Sequence, residues 1–125
     1  MAELQIDSKV VAGVPTIYLQ GEFDSYSAPR VRSILDLVTE GEKPTVIIQM
    51  TGLDYIDSAG LGVLVATLKH MNDREGALAL VGLSPSVARV FRVTGLDTIF
   101  TICGDEAEAR EQLLRERVSA SEPHA

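Results

Sequence analysis

The sequence predicts one α/β domain on a mixed β-sheet, with elements in the order β-β-α-β-α-β-α-β-α and the helices packed against the sheet. Three observations lead there. From residue 44 onward, apolar β-branched runs alternate with segments of helical period, which requires parallel strands joined by helical crossovers. The first two β-rich runs instead follow one another directly, so the leading pair is antiparallel and the sheet is mixed. The chain has 125 residues and is 46% hydrophobic, enough for a single self-sufficient core.

Each element has a local reason. "LQIDSKVVAG" and "VPTIYLQGEF" meet at Gly13 as an expected hairpin. "SAPRVRSILDLVTEG" reads as a helix with Ser27 as cap, Pro29 in the first turn and Gly41 past its end. Val31, Ile34, Leu35 and Val38 share one of its faces. "PTVIIQM" is a continuous apolar run, as in a strand covered on both sides. "SAGLGVLVATLKHMNDREG" is a second helix after a short loop, with an expected apolar stripe of Leu61, Leu64, Val65, Leu68 and Met71 and a stop at Gly76. "ALALVGL" is the next buried strand. "SPSVARVFRVTG" is a short helix capped by Ser84, opened by Pro85 and closed by Gly95. "TIFTIC", residues 98–103, is a last strand. "DEAEAREQLLRERV" is a final helix with acids early and arginines late, which complements the helix dipole. The domain is expected over residues 1–118, and "SASEPHA", residues 119–125, as a disordered tail.

Charge and composition exclude several functions. Eleven Lys and Arg against eighteen Asp and Glu give a net charge of -7, which disfavours phosphate backbones and anionic membranes as partners. No apolar run approaches the roughly 20 residues that span a bilayer, and the N-terminus lacks the pattern of a signal peptide. The one cysteine, Cys103, has no partner for an internal disulfide. A cytoplasmic protein is expected.

The informative stretch is "DYIDSAGLGVLV", Asp54 to Val65, where a strand gives way to a helix at Asp57 and Ser58. Three readings of Ser58 compete. As a helix cap, Ser58 or Asp57 would satisfy a free backbone N–H. As a nucleophile, Ser58 would need a base within reach. His70 lies twelve residues on in the same helix, roughly 18 Å along the axis. His124 is in the tail, and Ile56 stands where a G-x-S-x-G elbow needs glycine. As a modification site, Ser58 would sit at a helix start beside the small residues Ala59, Gly60 and Gly62, open to a partner. "GLGVLV" is a poor dinucleotide loop, since Val65 replaces its third glycine and no acid ends the next strand. No metal-ligand spacing and no phosphate loop occurs, so no cofactor and no enzymatic activity are expected.

"DSAGLGVLV" after an apolar strand, "GEFD" after the second strand, and "LDTIF" after "VFRVTG" together resemble the STAS-domain anti-sigma-factor antagonists (anti-anti-sigma factors) of bacteria. The resemblance runs from the first strand to about Val118, and D-S-x-G-L-G in this element order is its specific part. It implies a STAS-like fold. It also implies an acceptor serine at Ser58, phosphorylated by an anti-sigma factor that is itself a serine kinase and reset by a phosphatase. The unphosphorylated form would bind the anti-sigma factor and so release a sigma factor. The resemblance further implies a contact surface comprising Asp24, Ser25, Asp57, Ser58, Ala59, Gly60 and Gly62, with Tyr26 and Ser27 in the same loop. Many members have a second hydroxyl after the acceptor, and here that position is Ala59. Arg89 and Arg92 are expected on a solvated helix face. The alternative is a STAS scaffold, or a subunit of a stress-signalling or lipid-transport complex. The latter has no need of an acceptor serine, so "DSAG" favours the switch.

Overall fold

The structure is a computed structural model that describes residues 3–121, the last five of them as backbone only. Five strands form one sheet in the order β1-β2-β3-β4-β5, where β1 is Gln5–Val11, β2 Val14–Phe23, β3 Thr45–Ile56, β4 Ala77–Val81 and β5 Thr101–Cys103. β1 is antiparallel to β2, and all later neighbours are parallel. The helices are α1 Ala28–Val38, α2 Ser58–Asp73, α3 Pro85–Thr94 and α4 Glu106–Ser121, with a 3-10 turn at Leu96–Thr98.

Local chemistry explains most boundaries. The β1–β2 turn places Ala12 at φ 51° and Gly13 at φ 80°, the left-handed pair that a two-residue hairpin requires. Ser84 caps α3 by accepting from Val87 N–H, and Gly95 ends it in the left-handed conformation.

The two faces of the sheet are covered unequally. Ile17 and Leu19 of β2, Val46, Ile48 and Met50 of β3, and Leu78 and Leu80 of β4 point to one side. There they pack with Val31 and Leu35 of α1, Leu64 and Met71 of α2, and Val87 and Phe91 of α3. On the other side Ile47, Ala77, Ala79, Val81 and Cys103 meet Ala109 and Leu113 of α4. α4 lies over β3, β4 and β5. Beyond it, over β1 and β2, the sheet carries an open cleft of about 840 Å³ lined by Asp7, Lys9, Tyr18, Gln20, Gln49 and Glu106. Glu106 fastens the start of α4 to this region, accepting from Tyr18 Oη at 2.9 Å and Gln49 Nε2 at 3.2 Å. Burial first, then the Glu106 hydrogen bond and charge, raise the Tyr18 pKa, with Arg110 opposing.

Four sequence expectations are corrected. β3 runs on through Ile56, well past Met50, so α2 follows it with only Asp57 between them and no loop. β5 is confined to Thr101–Cys103, because residues 96–98 form the 3-10 turn and Phe100 folds inward, edge-on to Phe91 at 5.6 Å between ring centres. The buried side of α2 is Gly60, Val63, Leu64, Thr67 and Met71, while Val65 is exposed and Leu61 and Leu68 are half-buried. α2 packs on α1 as well as on the sheet, so its covered arc is turned toward α1. Thr67 tolerates burial because its hydroxyl donates to Val63 O at 2.8 Å. Finally, α4 continues to Ser121, so residues 119–121 of the expected tail are helical. Residues 122–125 lie outside the described residues.

Candidate functional site

The site is built where β2 and β3 end side by side. Phe23 pairs with Ile56 in the parallel ladder, and Asp57 N–H extends it by donating to Phe23 O at 3.1 Å. Asp24 and Asp57 therefore follow on neighbouring strands, roughly 5 Å apart in backbone. Each then turns the chain into a helix.

At the α2 start, Asp57 is the cap. Its Oδ1 accepts from Ala59 N–H at 2.9 Å and Gly60 N–H at 3.1 Å, and its carbonyl accepts from Leu61 N–H. Ser58 is the first helical residue and is exposed. Of the two cap candidates in the sequence, the structure assigns the work to Asp57.

The two glycines that follow differ in kind. Gly60 is buried, and a Cβ there would come 2.8 Å from Ile56 Cγ1 and 2.9 Å from Phe23 O. It lets α2 sit directly on the strand ends and lies beneath the surface, not on it. Gly62 is exposed and a Cβ there would meet nothing within 4 Å. Ala59 is half-buried against the core.

The Asp24 turn repeats this pattern. Asp24 Oδ1 accepts from Tyr26 N–H at 3.0 Å and Ser27 N–H at 3.1 Å, and its carbonyl accepts from Ala28 N–H. Ser27, expected as the α1 cap, makes no side-chain cap. It is buried, its Oγ accepts from Asp24 N–H at 3.0 Å, and its hydroxyl has Glu22 O at 3.2 Å. Only Ser25 and Tyr26 stand clear, with Tyr26 87% exposed. Ser25, Tyr26, Ser58 and Gly62 are thus exposed at the edge where β2 and β3 end, with Asp24 and Asp57 half-buried between them.

Other candidates lie elsewhere. His70 Nε2 is 3.2 Å from Thr39 O, at the far end of α2. Burial, then Glu108, Glu116 and Asp105, push the Cys103 thiol up, away from a reactive thiolate. Arg89 and Arg92 are exposed on α3. Among the described residues no group of His, Cys, Asp and Glu could hold a metal ion, and no helix is long and apolar enough to cross a membrane.

The model of the STAS domain matches residues 5–109. This chain belongs to the STAS family. It is 39% identical over 92 residues to the anti-sigma-B factor antagonist of Listeria monocytogenes, which spans 74% of this chain and 81% of that protein. Among solved structures it is similar to an anti-sigma factor antagonist from Mycobacterium paratuberculosis, with a TM-score of 0.79 at 23% identity over 89% of this chain and 94% of the other. It is also similar to the Bacillus cell fate determinant SpoIIAA in its phosphorylated form, with a TM-score of 0.64 at 23% identity over 88% and 98% of the two chains. These two share the fold, and the single STAS domain with its five-stranded mixed sheet and four helices is the one expected from the sequence.

Proposed function

We propose that this protein is an anti-sigma-factor antagonist whose contact surface is the Asp24–Tyr26 turn and the start of α2, and whose switch is phosphorylation of Ser58. The observation that carries the reading is the division of labour at the cap. Asp57 supplies the hydrogen bonds that start α2, which leaves Ser58 exposed and without a capping task. The name of the Listeria relative supports the antagonist role. The partner would be an anti-sigma factor that is also a serine kinase, and a phosphatase would reset the site.

The physics suits an interface switch. A phosphate at Ser58 adds about -1.5 to -2 charges. It gains roughly 0.3–1 kcal/mol from the helix N-terminus. Against one unit charge on Asp57 at about 6 Å it loses roughly 4–6 kcal/mol at an effective dielectric near 20. Water screens that loss in the free protein, so the fold survives. Under a bound partner an unpaired phosphate costs several kcal/mol, and each ~1.4 kcal/mol is tenfold in affinity.

The test is intact-mass spectrometry after incubation with ATP and each anti-sigma kinase of the same genome, with Ser58→Ala in parallel. One added phosphate that the variant does not take up is the expected result, and no uptake with any kinase rejects Ser58 as acceptor. Ser58→Asp should weaken binding to that kinase by more than about tenfold, with an unchanged melting temperature.

A further inference from the structure

We propose that β1 is a self-pairing edge, through which two copies of this chain join their sheets antiparallel about a two-fold axis at Ser8. The inference rests on backbone geometry and on charge order, independently of Ser58.

The hairpin fixes which groups are free. Val11 and Val14 close its two-residue turn and so form a hydrogen-bonded pair. Antiparallel pairing then alternates. Gln5, Asp7, Lys9 and Val11 spend their backbone groups on β2, and Ile6, Ser8 and Val10 turn theirs outward along the sheet edge. The opposite edge, β5, is only three residues long and offers no equivalent row.

Side chains then select the register. A second β1 can meet those outward groups symmetrically about Asp7, Ser8 or Lys9. Centring on Asp7 sets carboxylate against carboxylate, and centring on Lys9 sets ammonium against ammonium. Like charges directly opposite are destabilising. Centring on Ser8 sets Asp7 opposite Lys9 of the second copy, twice, in the non-hydrogen-bonded positions where side chains approach closest. It also sets Ile6 opposite Val10 of the second copy, twice. Val10 is 70% exposed and Ile6 half-buried, so each would cover the other. Asp7 and Lys9 are exposed, and Lys9 Nζ lies 5.2 Å over the Tyr18 ring, on the same face as Asp7. Charges on an edge strand ordinarily discourage pairing. Here their opposite signs two residues apart discourage two of these three registers and favour the third.

Seven residues of edge cover less than the roughly 1,000 Å² of a stable interface, so the dimer is reversible and forms at high concentration. The experiment is sedimentation equilibrium of the full chain over a concentration series, with circular dichroism to verify folding. Wild type should self-associate to a dimer. Asp7→Lys and Lys9→Asp should each dimerise at least about tenfold more weakly. Their equimolar mixture should regain wild-type association, because every cross-pair is again of opposite sign. Ser8→Pro, which removes only an outward N–H, should keep the fold and lose the dimer. A wild type that stays monomeric, single variants that dimerise like wild type, or a mixture that does not recover would each overturn the proposal.

Discussion

Two turns of this molecule begin with the same dipeptide and make the same backbone bonds, yet they leave different groups at the surface. In "DSYS", Asp24 to Ser27, and in "DSAG", Asp57 to Gly60, the aspartate Oδ1 accepts from the second and third following N–H groups. In both, its carbonyl accepts from the fourth. The last two positions make the difference. Tyr26 projects and Ser27 folds under to tie the loop to Glu22 and Asp24, whereas Ala59 and Gly60 pack down and clear the approach to Ser58. Both serines beside the capping aspartates are exposed, and the two turns differ in what stands next to them. The small residues after Ser58 decide how much of it a second protein can reach.

That contrast can be broken at five positions. The largest effect is expected at the seat of α2. Gly60→Ala forces a methyl against Ile56 and the Phe23 carbonyl and should cost about 3 kcal/mol in denaturant unfolding. Gly62→Ala, in open space on the same helix, should instead stabilise by roughly 0.5–1 kcal/mol. Next is Ser27→Ala, which strips the acceptor from Asp24 N–H in a buried loop and should cost roughly 1–3 kcal/mol. The smallest effects belong to the two exposed serines. Ser25→Ala and Ser58→Ala should each shift stability by less than about 0.5 kcal/mol. They separate in the kinase assay, where Ser25→Ala keeps full phosphate uptake and Ser58→Ala loses it. Uptake lost equally in both would erase the distinction between the turns.

Features set by neighbours in sequence were legible before the structure, and those set by neighbours in space were not. Ser84 and Gly95 bracket α3 as read, because a cap is a contact with residues three or four away. Ser27 carried the same signal, but Pro29 has no N–H to give, the Arg30 N–H donates to the Ser27 carbonyl, and the Ser27 hydroxyl is engaged by Asp24 and Glu22 instead. The second half of β3 was missed because Thr51, Asp54 and Tyr55 are exposed there and the apolar run stops at Met50. Pairing with β2 through Ile56 keeps it extended. Val65 matched the helical period and still faces solvent, since α1 claimed the side of α2 that carries Val63 and Thr67. At the site, exposure at the helix start was legible from composition. The burial of Gly60 was not, because it depends on a carbonyl from β2, thirty-seven positions earlier in the chain.

The strand order across the sheet repeats the strand order along the chain. No strand has to be slotted between two that are already in place. As the polypeptide leaves the ribosome, the hairpin can form first, and each later strand, with the helix before it, can be laid on the growing edge. Loop closure at every step spans one crossover, which keeps the entropic barrier low. The exception is Glu106, whose bonds reach back 88 residues to Tyr18 and 57 to Gln49. The last helix is therefore latched onto the oldest part of the sheet, and the clasp can close only when synthesis of the domain is nearly complete.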